Sequence, residues 1–550
     1  MQNAAIYFHK DALDTSRGRL LGRHSAGESF LRGFLRHADV DQFYFWNAAA
    51  RPQGDLEAVL EQIGRPDKPV RWIAAADRPA LGAPGVLSYP SPQVNVEAWH
   101  RRTTGARGYA ICGLTHTTAS AIVMSTIADL LISPTEDYDA LICTSSAVRQ
   151  SVETQLDGVR EYLAREFGPR RRPELQRVTI PLGVNTEEFA VTPQQRAAWR
   201  DRLDIPADAI VALYVGRFNI REKMNPALMA LALEKTAVAT GRPIYWVNSG
   251  WAESEAEEAT FHRETRALCP SVTYLHVDGR KPDVRYSIWS VADFFISFSD
   301  NIQETYGLTP VEAMAAGLPC VVTDWNGYKD TVRHGEDGFR ISTTAPAPGS
   351  GGDLAFWFAN QWAHYTNYVG AAAQFTAIDY GEAVAAISIL VLNADFRRRL
   401  GEQAQARAKA VFDWSAIIPQ YQALWAEQDA RRRAAPPVAA EPDNPFRPDP
   451  FRLFGGYPTR HLGLNDRLSL PPGVTWEAAK ALLASPLAVY SRLNRPTEAE
   501  VAAVVGWLAE RASGTVAELL ETFPPARRPY VWRGVLWIAR YGVIIIHPAS

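Results

Sequence analysis

The chain has 550 residues, with 57 Lys and Arg against 60 Asp and Glu, and a formal net charge of −3. That length exceeds what one hydrophobic core supports and points to two or three domains, while the near-neutral balance supplies no global field for nucleic acid or an anionic membrane. No run of about eighteen apolar residues reads as a membrane span, and the start MQNAAIYF lacks the basic end and long apolar core of a signal peptide, so a cytoplasmic protein is expected, at most peripheral at the inner face of a membrane.

From residue 4 to about 185, apolar runs at 4–8, 43–46, 70–74, 109–112, 139–143 and 178–181 alternate with helical stretches at 54–63, 120–131 and 145–167. This is βαβ rhythm, which predicts an α/β domain with a parallel sheet over 1–187. Ser25-Ala26-Gly27-Glu28 begins a helix with apolar residues at Phe30, Leu31, Phe34 and Leu35. His116 follows the strand at 109–112. A lone His often serves only structure, but the end of a parallel strand is where open α/β sheets bind ligands. The run IPLGVNTEEF at 180–189 carries a Gly turn out of this domain.

The same rhythm returns in a second domain, 188–412, with strands near 210–215, 243–248, 272–277, 293–297, 319–323 and 338–341. The continuous apolar run 210–215 ends in Gly216-Arg217, Lys223 follows, and Asn225-Pro226 opens a helix as N-cap and first-turn Pro. Arg and Lys beside a helix N-terminus form an anion site. Further on, Glu304 and Glu312 have seven residues between them, with Gly307 and Leu308 inside the interval. Thr309 reads as an N-cap, Pro310 as the first helical position and Glu312 as the third. One carboxylate then sits on a loop and the other on the first helical turn, with the amides near Gly307 and Leu308 open to an anion. Two hydroxyl acceptors flanking an anion cradle suit a nucleotide sugar. The competing reading is a capping box, in which Glu312 reaches back to the Thr309 N–H; it leaves Glu304, Gly307 and the Arg217–Lys223 cluster without a role.

The stretch 343–374 is rich in Gly and Pro, then aromatic (Phe356, Trp357, Phe358, Trp362, Tyr365, Tyr368), and reads as a satellite core or subunit contact, with an acceptor site as the competing role. Two helical stretches surround Asp413-Trp414 within 394–430. Residues 431–454, beginning Arg431 to Arg433 and rich in Pro and Ala, read as a linker. The tail at 455–550 ends in helices at 497–511, 515–522 and 527–541, then Gly542 and a strand at 543–546, a winged-helix-like pattern. Its last part, 497–550, holds five Arg and five Glu without Lys or Asp, which argues against nucleic acid. Trp532, Trp537 and Tyr541 then pack a core or a partner, and the tail reads as a homo-oligomerisation or protein-interaction module. The cysteines at 112, 143, 269 and 320 are far apart, several in buried strands, and read as reduced core thiols rather than metal ligands. Few Lys and many Ala, Arg and Pro point to a GC-rich bacterial genome.

The Glu304 to Glu312 run, continued through AMAAGLP at 313–319 and CVVT at 320–323, resembles the Glu-x7-Glu signature of retaining GT-B glycosyltransferases of family GT4. The resemblance covers roughly residues 1–430 and is specific in order and spacing. It implies two Rossmann-like domains facing across a cleft, with a terminal helix at 413–430 crossing back onto the first. It implies that Glu304 binds hydroxyls of the donor sugar, that Glu312 binds the ribose hydroxyls, and that Gly216-Arg217 and Lys223 bind the diphosphate. Gly27 matches the second Gly of a Gly-Gly-x-Glu loop near the donor phosphate, although Ala26 replaces the first, and His116 matches an imidazole that meets the donor sugar. The implied reaction is transfer, with retention, from a UDP- or GDP-sugar to a saccharide or lipid-linked acceptor, in bacterial polysaccharide or glycolipid synthesis. No cofactor is expected, and no Asp-x-Asp metal pair stands in a matching place. The alternatives are a phosphorylase-like or sucrose-metabolising enzyme on the same fold, and an inactive scaffold recruiting partners through its tail.

Overall fold

The computed structural model describes residues 2–9, 22–169, 174–441, 443–490 and 495–549. They form two compact units, Met1–Pro442 and Asp443–Ser550. The first unit holds two parallel sheets. Strands β1 (Ala5–Tyr7), β2 (Phe43–Asn47), β3 (Val70–Ala74), β4 (Val86–Tyr89), β5 (Ala110–Leu114), β6 (Ala140–Cys143) and β7 (Gln176–Thr179) lie in the order β3-β2-β1-β4-β5-β6-β7. Strands β8 (Ile210–Arg217), β9 (Ile244–Trp251), β10 (Thr273–Asp278), β11 (Phe294–Ser297), β12 (Cys320–Thr323) and β13 (Gly338–Ile341) lie in the order β10-β9-β8-β11-β12-β13. Both are doubly wound Rossmann-like sheets, whose strand order reverses beside β1 and β8. Helices cover both faces, so the central strands are buried on both sides and read as unbroken apolar runs. All four cysteines are buried free thiols.

β4 and the helix Val94–Arg102 escape the sequence reading. β4 is only four residues long and follows Gly82 to Gly85, a turn-like stretch that masks it, yet it is the strand that bridges β1 and β5. The helix Tyr380–Leu392 is also new; it is apolar enough to bury Ala383, Ile387 and Leu390 against the second sheet.

After a helix at Ala394–Arg407 and a single π turn at Ala408–Phe412, the chain enters the helix Trp414–Ala434. The Asp413 carboxylate caps that helix, accepting from the Ser415 N–H at 2.9 Å, and also accepts from the Thr186 N–H and hydroxyl at 3.0 and 2.7 Å. The helix buries Trp414, Ile417, Tyr421 and Trp425 against Leu31 and Phe34 of the first domain. Arg431 to Arg433 are therefore not linker but its last turn, where cations oppose the helix dipole. Arg432 pairs with Asp429 at 2.6 Å and donates to the Arg107 carbonyl at 2.7 Å.

The second unit has its own core, centred on Leu468, Val504, Leu519 and Val535. Its helices include Glu498–Arg511, Val516–Glu521 and Arg528–Arg540. Its strands, Arg467–Ser469, Ser513–Thr515 and Ile545–His547, are antiparallel, with the first in the centre. The last strand starts later than the sequence predicts. Gly542, at φ +70°, ends the helix, and Val543 and Ile544 drop into the core before pairing begins. Trp537 donates to the Ala488 carbonyl at 3.1 Å and Tyr541 to that of Leu487 at 2.7 Å, so both serve this unit's own packing, while Trp532 is exposed.

Candidate functional site

A cleft of about 480 Å³ opens between the two sheets of the first unit. It is lined by His116, Gly216, Arg217, Lys223, Glu304, Gly307, Leu308 and Glu312, eight of the nine residues singled out from the sequence. Gly27 is not among the lining residues; its neighbour Ala26 is. The expected loop around Gly27 is instead the early part of the helix Gly22–His37. A larger depression of about 600 Å³ is lined by Arg36, His37, Glu187, Lys409 and Asp413, the residue that caps the helix Trp414–Ala434. The cleft gathers the ends of β8 and β9 and the start of the helix Leu308–Ala315 at the reversal point of the second sheet, and is the candidate site on chemical grounds.

Arg217 is the last residue of β8, and the loop after it carries Lys223. The Asn225 side chain accepts the Ala227 N–H at 3.0 Å, opening the helix Ala227–Thr240 one residue later than predicted. The acidic loop after β11 is held from both domains. The Asn301 side chain donates to the Arg221 carbonyl at 2.6 Å, the Thr305 hydroxyl to the His116 carbonyl at 3.1 Å, and the Tyr306 hydroxyl to the Leu182 carbonyl at 2.8 Å. The Ser145 hydroxyl donates to the Thr305 carbonyl at 2.7 Å. Loop residues fixed this way lose little entropy when a ligand arrives.

The capping-box reading of Thr309 is wrong. The helix runs Leu308–Ala315, its N-cap is Gly307, and no side chain caps it. Gly307 stands at φ +85°, and a Cβ there would lie 2.0 Å from the Tyr328 ring, so only Gly can make this turn. The turn starts the helix before Thr309, leaves the amides of its first turn at the cleft, and frees Glu312 from any capping duty.

Burial would raise Glu304, but contact with the Lys223 ammonium, helped by the Thr305 and Tyr306 amides, holds it below its ordinary value. Among the described residues Glu312 has no such partner. Burial pushes it up to about 7, against partial relief from Arg285 and Lys223. One carboxylate is thus ionised throughout the neutral range, while the other waits for donors. Asp300, buried ahead of the loop, is also raised to about 7 by burial. Arg217 lies 3.3 Å from Glu222, whose other oxygen accepts from the Thr366 hydroxyl at 2.5 Å.

Thr366 and the cleft-lining Tyr365 belong to the stretch 343–374, which forms the helices Gly352–Ala359 and Tyr365–Ala373 and so reaches the cation cluster. The first of these helices buries none of its side chains, and Phe356, Trp357 and Trp362 are exposed, whereas Phe358 stacks on Tyr368 at 4.2 Å and the second helix buries Val369 and Ala373. The sequence reading also missed Arg285, Trp251 and Trp289 at the cleft. A lone Arg on a four-residue helix and Trp residues in apolar runs carry no pattern of their own.

Residues 195–347 match the family described as glycosyl transferases group 1. That segment contains the whole second sheet and Arg217, Lys223, Glu304 and Glu312; His116 and Gly27 lie outside it. EpsD of Bacillus subtilis (strain 168) is 28% identical over 161 residues, 29% of this chain and 40% of that protein. The D-inositol 3-phosphate glycosyltransferase of Streptomyces bingchenggensis (strain BCW-1) is 30% identical over 190 residues, 34% of this chain and 40% of that protein. The chain thus spans about 40% of the length of each of these two relatives. Among solved structures, Anabaena HepE in complex with UDP superposes with a TM-score of 0.49 at 15% identity, over 78% of this chain and all of that one. The second domain is similar to group 1 glycosyltransferases.

Proposed function

We propose that the protein is a retaining, metal-independent glycosyltransferase that uses a UDP- or GDP-sugar and a saccharide or lipid-linked acceptor, in bacterial polysaccharide or glycolipid synthesis. One observation carries the reading: two cations, two carboxylates of opposite electrostatic character and a Gly-started helix converge in one cleft at the switch point of a Rossmann-like sheet. Arg217, Lys223 and the first-turn amides of Leu308–Ala315 oppose the charge that grows on the leaving diphosphate. Glu312 accepts the ribose hydroxyls, and Glu304, ionised beside Lys223, accepts hydroxyls of the sugar. His116, at the end of β5, meets the sugar from the first domain. The bond from the anomeric carbon to the phosphate oxygen breaks, the acceptor oxygen bonds to that carbon on the same face, and its proton passes to the departing phosphate. The convergence of Arg217, Lys223, Glu304 and Glu312 weighs against an inactive scaffold.

The test is a thermal-shift screen of UDP, GDP and ADP on the full chain without added metal, followed by transfer assays with the matching donors. A bound nucleotide at about a hundredfold its Kd stabilises the native state by about 2.7 kcal/mol. One nucleotide should raise Tm and the variant Arg217→Ala should lose the rise. No shift with any nucleotide would overturn the donor site, and an inverted anomeric product would overturn retention.

A further inference from the structure

Beyond the cleft, the second domain gathers Glu258, His262 and His276 so that one donor atom from each lies within 4.8 Å of the others. Glu258 and His262 are four residues apart on the helix Glu255–Ala267 and so share a face. His276 lies two residues after Tyr274 on β10, so the two share a face of the sheet. Each side chain is already aimed by a second partner. His262 Nδ1 is 2.6 Å from the Tyr274 hydroxyl. His276 Nε2 is 3.5 Å from the Gly250 carbonyl. Glu258 accepts the Ala252 N–H at 3.1 Å through one oxygen, and its other oxygen stands 3.8 Å from His276 Nδ1.

The remaining donor atoms are His262 Nε2, His276 Nδ1 and Glu258 Oε1. His262 Nε2 is sealed from solvent without a hydrogen-bond partner among the described residues. The two imidazoles lie 4.3 Å apart, tilted by 37°, with Phe218 edge-on to both. Ligating histidines usually hand their second nitrogen to a carbonyl or another oxygen, which fixes ring and tautomer. Both rings here have that support. Two imidazoles and one carboxylate are a donor set for a borderline divalent ion with an open fourth position.

We propose that Glu258, His262 and His276 form a mononuclear divalent-metal site of the zinc type, separate from the sugar-transfer chemistry, that clamps the helix Glu255–Ala267 to β10. Tetrahedral zinc sets ligand atoms about 3.3 Å apart, so closing the cluster needs small side-chain rotations. The clamp reaches the cleft through Gly250, which accepts from the Gly279 N–H at 3.2 Å; both glycines line the cleft, as does Trp251. A Cβ on Gly250 would lie 1.9 Å from the Gly216 carbonyl oxygen, so this strand end has little room to move.

The test uses full-length protein without a polyhistidine tag, stripped by chelator, dialysed and titrated with Zn²⁺ alone by calorimetry. Co²⁺ is then substituted, and its absorption reports coordination without any mutation. The expected results are one equivalent bound, a higher Tm and a tetrahedral Co²⁺ spectrum. Glu258→Gln and His276→Gln should abolish stoichiometric binding, and Tyr274→Phe should weaken it by about 10–100-fold. Failure of the wild-type chain to take up Zn²⁺ or Co²⁺ overturns the site, as does undiminished uptake by folded Glu258→Gln and His276→Gln proteins.

Discussion

Glu312 gives the sharpest test, because its environment makes nucleotide binding depend on a proton. Burial raises its pKa from 4.5 to about 7. Charging this carboxyl there costs about 3 kcal/mol more than in water. The folded state therefore holds the proton more tightly than the unfolded chain does. Stability drawn from this group is greatest below about pH 4.5, declines as pH rises, and is lost above about 7. If Glu312 must be ionised to accept two ribose hydroxyls, binding below pH 7 must expel its proton. The Kd for the nucleoside diphosphate should then rise about tenfold between pH 8 and pH 6. Glu312→Gln removes the titration, so its Kd should be weaker than wild type at pH 8 and approach the wild-type value at pH 6. The nucleotide's terminal phosphate and Asp300 titrate in both proteins, so the difference between the two profiles isolates Glu312. Quenching of Trp251 and Trp289, both at the cleft, reads the binding. Calorimetry in two buffers of different ionisation enthalpy counts the protons released. Parallel pH profiles for wild type and Glu312→Gln would refute the assignment of Glu312 to the ribose.

Three further outcomes follow from the same structure. Arg217→Ala and Lys223→Ala should each cost roughly 2–4 kcal/mol of transition-state stabilisation, seen as a fall of about thirtyfold or more in kcat/KM; near-normal turnover in both would remove the diphosphate clamp. A chain ending at residue 442 should keep its nucleotide Kd, because the cleft and its supports lie within Met1–Pro442; light scattering on the two lengths should reveal any assembly lost with the tail, and a shortened chain that cannot bind nucleotide would show that the units do not fold independently. Trp425→Ala removes a fully buried indole that packs the helix Trp414–Ala434 on Phe34; urea unfolding should show a loss of about 3–5 kcal/mol, and a loss below 1 kcal/mol would mean that this helix adds little to the first domain.

The sequence alone determined the features that come from local rules. Unbroken apolar runs ending in Gly216-Arg217 mark a strand covered on both faces, and the rhythm of such runs marks two parallel sheets. Glu304 and Glu312 could be paired because one loop and one helical turn carry both. Tertiary structure decided what depends on distant residues. The helix at Leu308 starts where Tyr328, twenty-one positions further along the chain and beyond the reach of any local capping rule, underlies Gly307, and so Thr309 lost the role its neighbours suggested. The unequal charging of Glu304 and Glu312 comes from Lys223 meeting one and not the other, which spacing along the chain does not encode. Tyr365 and Thr366 reach the clamp only because the stretch around them folds back on Glu222. Glu258, His262 and His276 match no linear metal motif; a helix face and a neighbouring strand bring them together after the sheet has formed. Local pattern fixes which element a residue occupies, whereas desolvation, ion pairing and ligand geometry arise from neighbours that only packing supplies.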